Sequence, residues 1–304
     1  MTANPRTLAA GISVASNTTL VIIKLVVGII TGSVSIISEA VHSALDLFAA
    51  IIAFFSVRES GRPADREHPY GHGKIENLSG AIEAMLILLA AMFIIHEAID
   101  KLKYPQQVKN PVLGLYVIGI SIVMNTLVSK HLFRIAGRTD SIALEADAHH
   151  LSTDVWTSIG VFIGLGLIRI TGWHILDPLV AIAVALMIIR VAFSLTWKAA
   201  APLLDTKLPD EEIGELGEIV MNTPGVRSYH KMRTRKAGPY RQVDFHLIVP
   251  AGMPVNEAHA IAERIEQDIR VRFPDAYVVT HIEPDNDDNN RSSSDSTDAR
   301  PAIG

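Results

Sequence analysis

Long apolar stretches alternate with short polar ones over the first two thirds of the chain, and the pattern changes near residue 205. A helix needs about 20 residues to cross a bilayer. Six stretches are long enough, so the pattern predicts six membrane-spanning helices in a membrane-embedded, all-α bundle. Their predicted ranges are 8–31, 34–57, 78–101, 111–136, 142–171 and 175–198.

Polar and ionisable residues interrupt these predicted spans. Such side chains are costly at membrane depth, and they normally face a bundle interior or a water-filled cavity. The pattern therefore predicts a bundle with a polar centre rather than a set of simple anchors. The polar positions include Asn17, Thr18, Thr19, Lys24, Ser35, Ser38, Glu39, Glu83, Asn125, Glu145 and Asp147.

One polar pattern occurs twice. His42 and Asp46 lie in the second span, and His150 and Asp154 lie in the fifth. Residues four apart on a helix share a face. Two such faces turned toward each other would supply two imidazoles and two carboxylates, a tetrahedral set that suits Zn²⁺. The alternative is that each pair only hydrogen-bonds a neighbouring helix, but two identical costly pairs favour a metal site.

The composition excludes several classes of binding partner and metal ligand. The chain has 304 residues, 49% of them hydrophobic, a formal net charge of −5 and no cysteine. The mild charge gives no sign of nucleic-acid binding. Without cysteine, disulfides and thiolate metal sites are excluded. Any metal must be bound by His, Asp, Glu, backbone or water.

Basic residues near the span ends predict the orientation, because they are enriched on the cytoplasmic side. With the N-terminus inside, nine basic residues fall on the inner side and four on the outer side. This favours cytoplasmic termini. The inner residues are Arg6, Arg58, Arg62, Arg66, Lys74, Lys130, Arg134, Arg138 and Lys198; the outer ones are Lys101, Lys103, Lys109 and Arg169. The short polar start before the first span predicts a retained span rather than a signal peptide.

The sequence from Asp205 onward is typical of a soluble domain. Turn residues and apolar periodicity predict the order α-β-β-α-β, a small α+β domain. The predicted elements are helix 210–222, strands 226–236 and 239–249, helix 255–272 and strand 276–284. The predicted organisation is a membrane domain at 1–204, a soluble α+β domain at 205–285 and a tail at 286–304. The polar tail is predicted to be disordered.

Two further groups of residues have metal-ligand chemistry. Asp65, His68 and His72 lie within one short loop after the second span. The soluble domain contains a second set, His230, His246, His259, His281 and Glu283. Each group is able to bind zinc. Each also has a plainer interpretation, since His and Asp are ordinary residues of solvated loops and of soluble domains.

Together these residues resemble the cation diffusion facilitator family over about residues 8–285. The resemblance rests on Gly32–Ser35 leading to Glu39, His42 and Asp46, on the loop His68–Glu76, and on Glu145–Asp147 leading to His150 and Asp154. It implies six-span exporters of divalent metals that work as homodimers with a cytoplasmic α+β domain.

The resemblance also implies roles for the candidate residues. The transport site falls on His42, Asp46, His150 and Asp154, and a His at the first position is associated with zinc over cadmium. A loop site falls on Asp65, His68 and His72. A cytoplasmic binuclear site falls on His230, His246, His259, His281 and Glu283, where the family often has Asp instead of Glu283. Lys74 and Asp205 match a charge pair near the dimer interface.

The expected function is a Zn²⁺/H⁺ antiporter in a bacterial inner membrane, with divalent ions, protons, lipid and a second copy of the chain as partners. Zinc is expected both as the transported substrate and as a regulatory or structural ion. No phosphate-binding Gly-Lys-Ser/Thr motif is present, which argues against ATP drive. The alternatives are export of Fe²⁺, Co²⁺, Cd²⁺ or Mn²⁺, a non-transporting metal sensor or scaffold, and a membrane metallohydrolase. The last is disfavoured because a catalytic zinc commonly keeps an open position.

Overall fold

The structure, a computed structural model, describes residues 4–31, 34–103, 111–173 and 175–285. The chain divides into two compact units, Met1–Leu203 and Leu204–Gly304. The predicted disordered tail at 286–304 lies outside the described residues, as does Lys109.

The first unit consists of long helices. They are α1 Pro5–Thr31, α2 Val34–Ser60, α3 Lys74–Lys103, α4 Pro111–Thr139, α5 Ile142–Thr171 and α6 Leu176–Ala200. A short 3-10 helix, Ala201–Leu204, follows α6.

Five stretches of the described residues are long and apolar enough to cross a membrane. They are Pro5–Ile30, Glu39–Ser60, Lys74–Lys103, Tyr116–Thr139 and Pro178–Leu204. The predicted fifth span, 142–171, coincides with α5 but is not one of these five. Its first half carries Glu145, Asp147 and Asp154, whereas Arg169 is the only charged residue of its second half. Its membrane passage stays a prediction.

Two apolar clusters hold the helices together, and α5 contributes to both. One contains Val57 of α2, Leu132 of α4 and Leu151 of α5. The other contains Ile87 of α3, Ala146 of α5 and Ile188 of α6. Because α5 lies in both clusters, its polar residues are held at the centre of the helical unit.

Large apolar side chains cover the outer faces of these helices. Phe48, Phe93 and Trp197 are each more than 60% exposed within the chain. An apolar surface of this extent suits contact with lipid, and helices satisfy their own backbone hydrogen bonds there.

The second unit has the predicted element order. It contains α7 Asp210–Met221, β1 Ser228–Ala237, β2 Tyr240–Val249, α8 Val255–Arg272 and β3 Ala276–Pro284. The strand order is β1-β2-β3, with β1 antiparallel and β3 parallel to β2. In the turn between β1 and β2, Gly238 has a φ of 59°, which glycine adopts without strain.

Alternation along β2 separates the two faces of the sheet. Val243, Phe245 and Leu247 are buried in a core that also contains Ala262 and Ile265 of α8. His246 lies between these core residues in sequence and therefore points to the opposite face. The histidines of the strands are thus presented on the face away from the α8 core.

Candidate metal sites

The transport-site candidates come together from two helices. On α2, four-residue spacing places His42 and Asp46 on one face, and on α5 it does the same for His150 and Asp154. His150 Nε2 lies 3.1 Å from Asp46 Oδ1, and His42 Nε2 lies 4.0 Å from the same oxygen. Ligand atoms of His42, Asp46 and Asp154 all lie within 4.8 Å of one another.

This arrangement has the donors that zinc needs. Two neutral imidazoles and two ionised carboxylates form a four-ligand set, and the carboxylates balance the charge of a divalent ion. Asp46 is buried, while the His42 side chain is 56% exposed within the chain. The cluster therefore offers both a buried anionic centre and an accessible ligand.

Two neighbours of this cluster had no role in the sequence interpretation. Asn125 Nδ2 of α4 lies 3.5 Å from Asp154 Oδ2, and Lys24 Nζ of α1 donates at 2.7 Å to Ser43 Oγ, next to His42 in the chain. Both were visible only as polar interruptions of apolar spans. Helix packing, which the spacing within one span does not encode, brings them beside the ligands.

The loop candidates also lie together. Asp65 Oδ2 lies 3.4 Å from His72 Nε2, and Asp65 Oδ1 lies 3.5 Å from His68 Nδ1. The two imidazole ring centroids are 4.5 Å apart. The loop folds this way because the backbone amides of Glu67 and His68 both donate to Asp65 Oδ1.

Those amide hydrogen bonds also prepare Asp65 for a cation. The amide of His68 stabilises the charged carboxylate and holds the pKa of Asp65 below its usual range. His72 is buried, and its Nδ1 has no hydrogen-bond partner among the residues that the structure describes. The three residues thus fit a small divalent-metal site.

A buried carboxylate lies next to this loop at the start of α3. Glu76 is fully buried, and its Oε1 accepts hydrogen bonds from Arg6 Nη1 at 2.9 Å and Ser60 Oγ at 2.6 Å. Ser141 Oγ, beside α5, donates to Oε2. Glu76 therefore connects α1, α2 and the start of α5 to the helix that follows the loop. The sequence showed Glu76 only as part of the loop motif.

In the second unit, three histidines form a row across the sheet. The register pairs His230 of β1 with His246 of β2, and His246 with His281 of β3. Neighbouring ring centroids in this row are 5.2 Å and 4.7 Å apart. Glu283 shares the face of His281, since the two lie two residues apart on one strand.

Glu283 connects the row. Its Oε1 lies 2.7 Å from His246 Nδ1, its Oε2 lies 3.1 Å from His230 Nε2, and His281 Nε2 lies 3.7 Å from Oε1. Burial opposes ionisation of Glu283, but the hydrogen bond from His246 outweighs it together with nearby positive charge, and the pKa of Glu283 falls below its usual range. The carboxylate is therefore ready to share a cation with the imidazoles.

His259 is not brought to this row within one chain. It is exposed on α8, and its Nε2 lies 3.3 Å from Glu263 Oε1. The reason is geometric, because α8 packs on the core face of the sheet whereas His246 points to the other face. The sheet therefore assembles His230, His246, His281 and Glu283, and the role of His259 stays a prediction.

The two residues of the predicted charge pair, Lys74 and Asp205, are far apart in the sequence. Lys74 is the first residue of α3. Asp205 has a φ of 55° and accepts a hydrogen bond from Arg235 Nη1 at 3.2 Å. Their role at a dimer interface stays a prediction.

Comparison with known proteins places this chain in a family. The model of the cation efflux transmembrane domain matches residues 10–204, and that of the cation efflux protein cytoplasmic domain matches residues 208–285. The chain belongs to the cation diffusion facilitator family of membrane cation-efflux transporters, which confirms the resemblance drawn from its motifs.

Individual relatives span most of the chain. The cation-efflux pump FieF of Salmonella schwarzengrund is 36% identical over 276 residues, which are 91% of this chain and 92% of that protein. The uncharacterized transporter sll1263 of Synechocystis sp. is 37% identical over 257 residues, 84% of this chain and 83% of that protein. A solved structure of the Zn form of CzrB is 31% identical with a TM-score of 0.26, covering 27% of this chain and 93% of that chain.

Proposed function

We propose that this family member is a Zn²⁺/H⁺ antiporter that exports zinc from the cytoplasm. The observation that carries the proposal is the convergence of His42 and Asp46 of α2 with His150 and Asp154 of α5. These four ionisable groups come from two helices of an apolar bundle. Such groups at membrane depth mark an ion pathway by default.

The ligand set supports zinc as the substrate. Zinc is commonly bound in tetrahedral geometry by imidazole and carboxylate ligands. The two carboxylates neutralise the ion, so the loaded site carries little net charge through an apolar region. Softer thiolate ligands are absent from this sequence, which has no cysteine.

Proton coupling follows from the chemistry of the same ligands. Metal binds to neutral imidazole and ionised carboxylate, so protons compete with zinc for each of the four side chains. A transporter that opens alternately to the two sides would load zinc inside, release it outside as protons enter, and return protonated. Movement of protons inward then drives zinc outward.

We further propose a membrane arrangement of six spans with both termini in the cytoplasm of a bacterial cell. Helix α5 would be the remaining span, shielded from lipid by its position in both apolar clusters. The protein would act as a homodimer in the inner membrane, with the second unit supplying much of the interface. Lys74 and Asp205 would form a charge pair near that interface.

The loop and sheet sites are proposed to respond to cytoplasmic zinc. Asp65, His68 and His72 would bind one ion beside the start of α3, and the sheet row would bind zinc through His230, His246, His281 and Glu283. Binding at the sheet would link all three strands on one face. Such an ion would stabilise the domain and favour its assembly.

Transport of a panel of divalent ions tests this proposal. Purified protein is reconstituted in liposomes, and initial uptake of Zn²⁺, Cd²⁺, Fe²⁺, Co²⁺ and Mn²⁺ is compared. The proposal expects Zn²⁺ to be transported most effectively. A different preferred ion would identify an exporter of that metal, and binding without flux of any ion would identify a sensor or scaffold.

A further inference from the structure

Lys24 places a buried ammonium group within the helical unit. It lies on α1, and only 6% of the residue is exposed. Its Nζ donates to Ser43 Oγ at 2.7 Å and lies 3.3 Å from Glu39 Oε2. A buried charge is costly unless it is paired and hydrogen-bonded. The two α2 side chains meet both needs.

The anchors of Lys24 lie on the ligand face of α2. Glu39 precedes His42 by three residues, and Ser43 precedes Asp46 by three, so all four residues follow one stripe of the helix. The Lys24 ammonium is thereby held about one turn from the transport-site ligands. Ser43, which it contacts, directly follows His42 in the chain, and Asp154 of α5 has a ligand atom within 4.8 Å of those of His42 and Asp46.

Close packing of α1 on α2 keeps the ammonium there. A Cβ atom at Gly28, one turn beyond Lys24, would lie 2.8 Å from Ile37 Cγ1. A glycine is therefore required for the two helices to approach this closely. The close approach at Gly28 places the start of the Lys24 side chain against α2, within reach of Ser43 and Glu39.

We propose that Lys24 is a tethered cation that weakens metal binding at the transport site and so promotes release, with Glu39 and Ser43 as its anchors. The inference rests on the proposed function, in which His42, Asp46, His150 and Asp154 bind the metal. Without metal, the positive charge of Lys24 offsets part of the negative charge of the two aspartates. With metal, the ammonium and the divalent ion repel each other.

The test is initial-rate zinc transport by the full chain in liposomes, measured for Lys24→Met, Lys24→Arg and Glu39→Gln. Lys24→Met removes the charge but keeps most of the side-chain volume. We expect its KM for zinc to fall by about tenfold, as one unit charge acting through protein would cause, and its maximal rate to fall because release slows. Lys24→Arg retains the charge and should keep both values near those of the unchanged protein.

Glu39→Gln removes the negative charge that balances the Lys24 ammonium. Without the Glu39 carboxylate, the Lys24 ammonium is balanced less well and turns toward the transport-site aspartates, so the KM for zinc should rise. Lys130→Met is the matched control, since Lys130 is exposed on α4 and should alter neither value.

Three results would overturn the inference. They are an unchanged or raised KM in Lys24→Met, equal loss of transport in Lys24→Met and Lys24→Arg with the dimer intact, and a lowered KM in Glu39→Gln. Asp154→Ala in the same assay separates this inference from the proposed function. If Asp154→Ala still transports zinc, the transport-site assignment fails; if it does not and Lys24→Met is unaltered, only the inference fails.

Discussion

His150 and Asp46 contact each other across two helices although they are 104 residues apart in the chain, with Nε2 and Oδ1 separated by 3.1 Å. The contact joins the two His-x-x-x-Asp pairs into one cluster. It also occupies ligand atoms that a metal would need. A zinc ion entering the site is therefore expected to separate these two atoms and take both as ligands.

Removal of a carboxylate from this cluster should abolish transport. Asp154→Ala or Asp46→Ala leaves three ligands and removes one of the two charges that balance a divalent ion. We expect zinc uptake into liposomes to fall to the level of protein-free liposomes, while size-exclusion chromatography still shows a folded dimer.

A matched change away from the cluster controls for general damage. Asp100 is exposed on α3 and lies 3.5 Å from His96 Nδ1, one turn away on the same helix. Asp100→Ala should retain near-normal uptake. Normal zinc uptake by dimeric Asp154→Ala would show that the metal passes elsewhere.

Substitution of the accessible histidine should change metal choice. His42→Asp removes an imidazole, which suits zinc, and adds on the same face of α2 a carboxylate that can bind through one or two oxygens and so suits a wider range of ions. The resemblance to the family associates a His at this position with zinc over cadmium, so its loss is expected to broaden selectivity. We expect the ratio of cadmium to zinc uptake to rise, measured with both ions in competition, and an unaltered ratio would argue against His42 as a ligand.

The histidine row of the sheet should bind zinc independently of the helices. Residues 204–285 have their own apolar core and are expected to fold alone. A ligand that binds only the folded state stabilises it by roughly 2.7 kcal/mol at one hundred times its Kd. Zinc should therefore raise the Tm of this fragment.

Two histidine variants of the fragment show which histidines bind the zinc. His246→Ala removes the central member of the row and should abolish most of the zinc-induced rise in Tm. His259→Ala removes an exposed histidine of α8 that the sheet does not bring to the row. Its fragment should keep most of the rise, and equal losses in the two variants would mean that His259 is a ligand as well.

Glu283 should give the zinc-free fragment an acid-sensitive contribution to stability. Its pKa is lowered in the folded state from an ordinary value of 4.5. A lowered folded-state pKa means that the stabilisation is present above the unfolded-state pKa and is lost as pH falls through the folded-state pKa.

The Tm difference between the unchanged fragment and Glu283→Gln measures this contribution. It should persist from pH 7 to about 4.5 and shrink as the solution is acidified further. A difference that grows below pH 4 would contradict the assignment.

Much of the fold could be predicted because hydrophobic periodicity records it directly. The predicted helix 255–272 and strand 276–284 coincide with α8 and β3. Helices α1 to α4 extend a few residues beyond the predicted spans, whereas α5 coincides with its span. Polar ends such as Lys74–Asn77 continue α3 past its apolar part, and hydrophobicity alone does not report them.

The candidate sites could likewise be predicted from the sequence only in part. Ligands spaced by one helical turn or one strand period, such as His42 with Asp46 and His281 with Glu283, are visible in the sequence. Contacts made by packing are not, so the positions of Lys24, Asn125 and Glu76 beside the ligands appear only in three dimensions. His259 is the opposite case. The sequence predicts it as a ligand together with the other histidines, but α8 packs on the face of the sheet that lies away from the histidine row.

Simultaneous recording of zinc and proton movement in one liposome preparation tests the central claim most directly. A zinc-sensitive dye follows zinc movement and a pH-sensitive dye follows proton movement, while a pH gradient is imposed in either direction. We predict that zinc moves against the proton flux, that reversing the gradient reverses zinc movement, and that both signals vanish in Asp154→Ala. Zinc flux that ignores the pH gradient, or proton movement that persists in Asp154→Ala, would contradict zinc/proton exchange at this site.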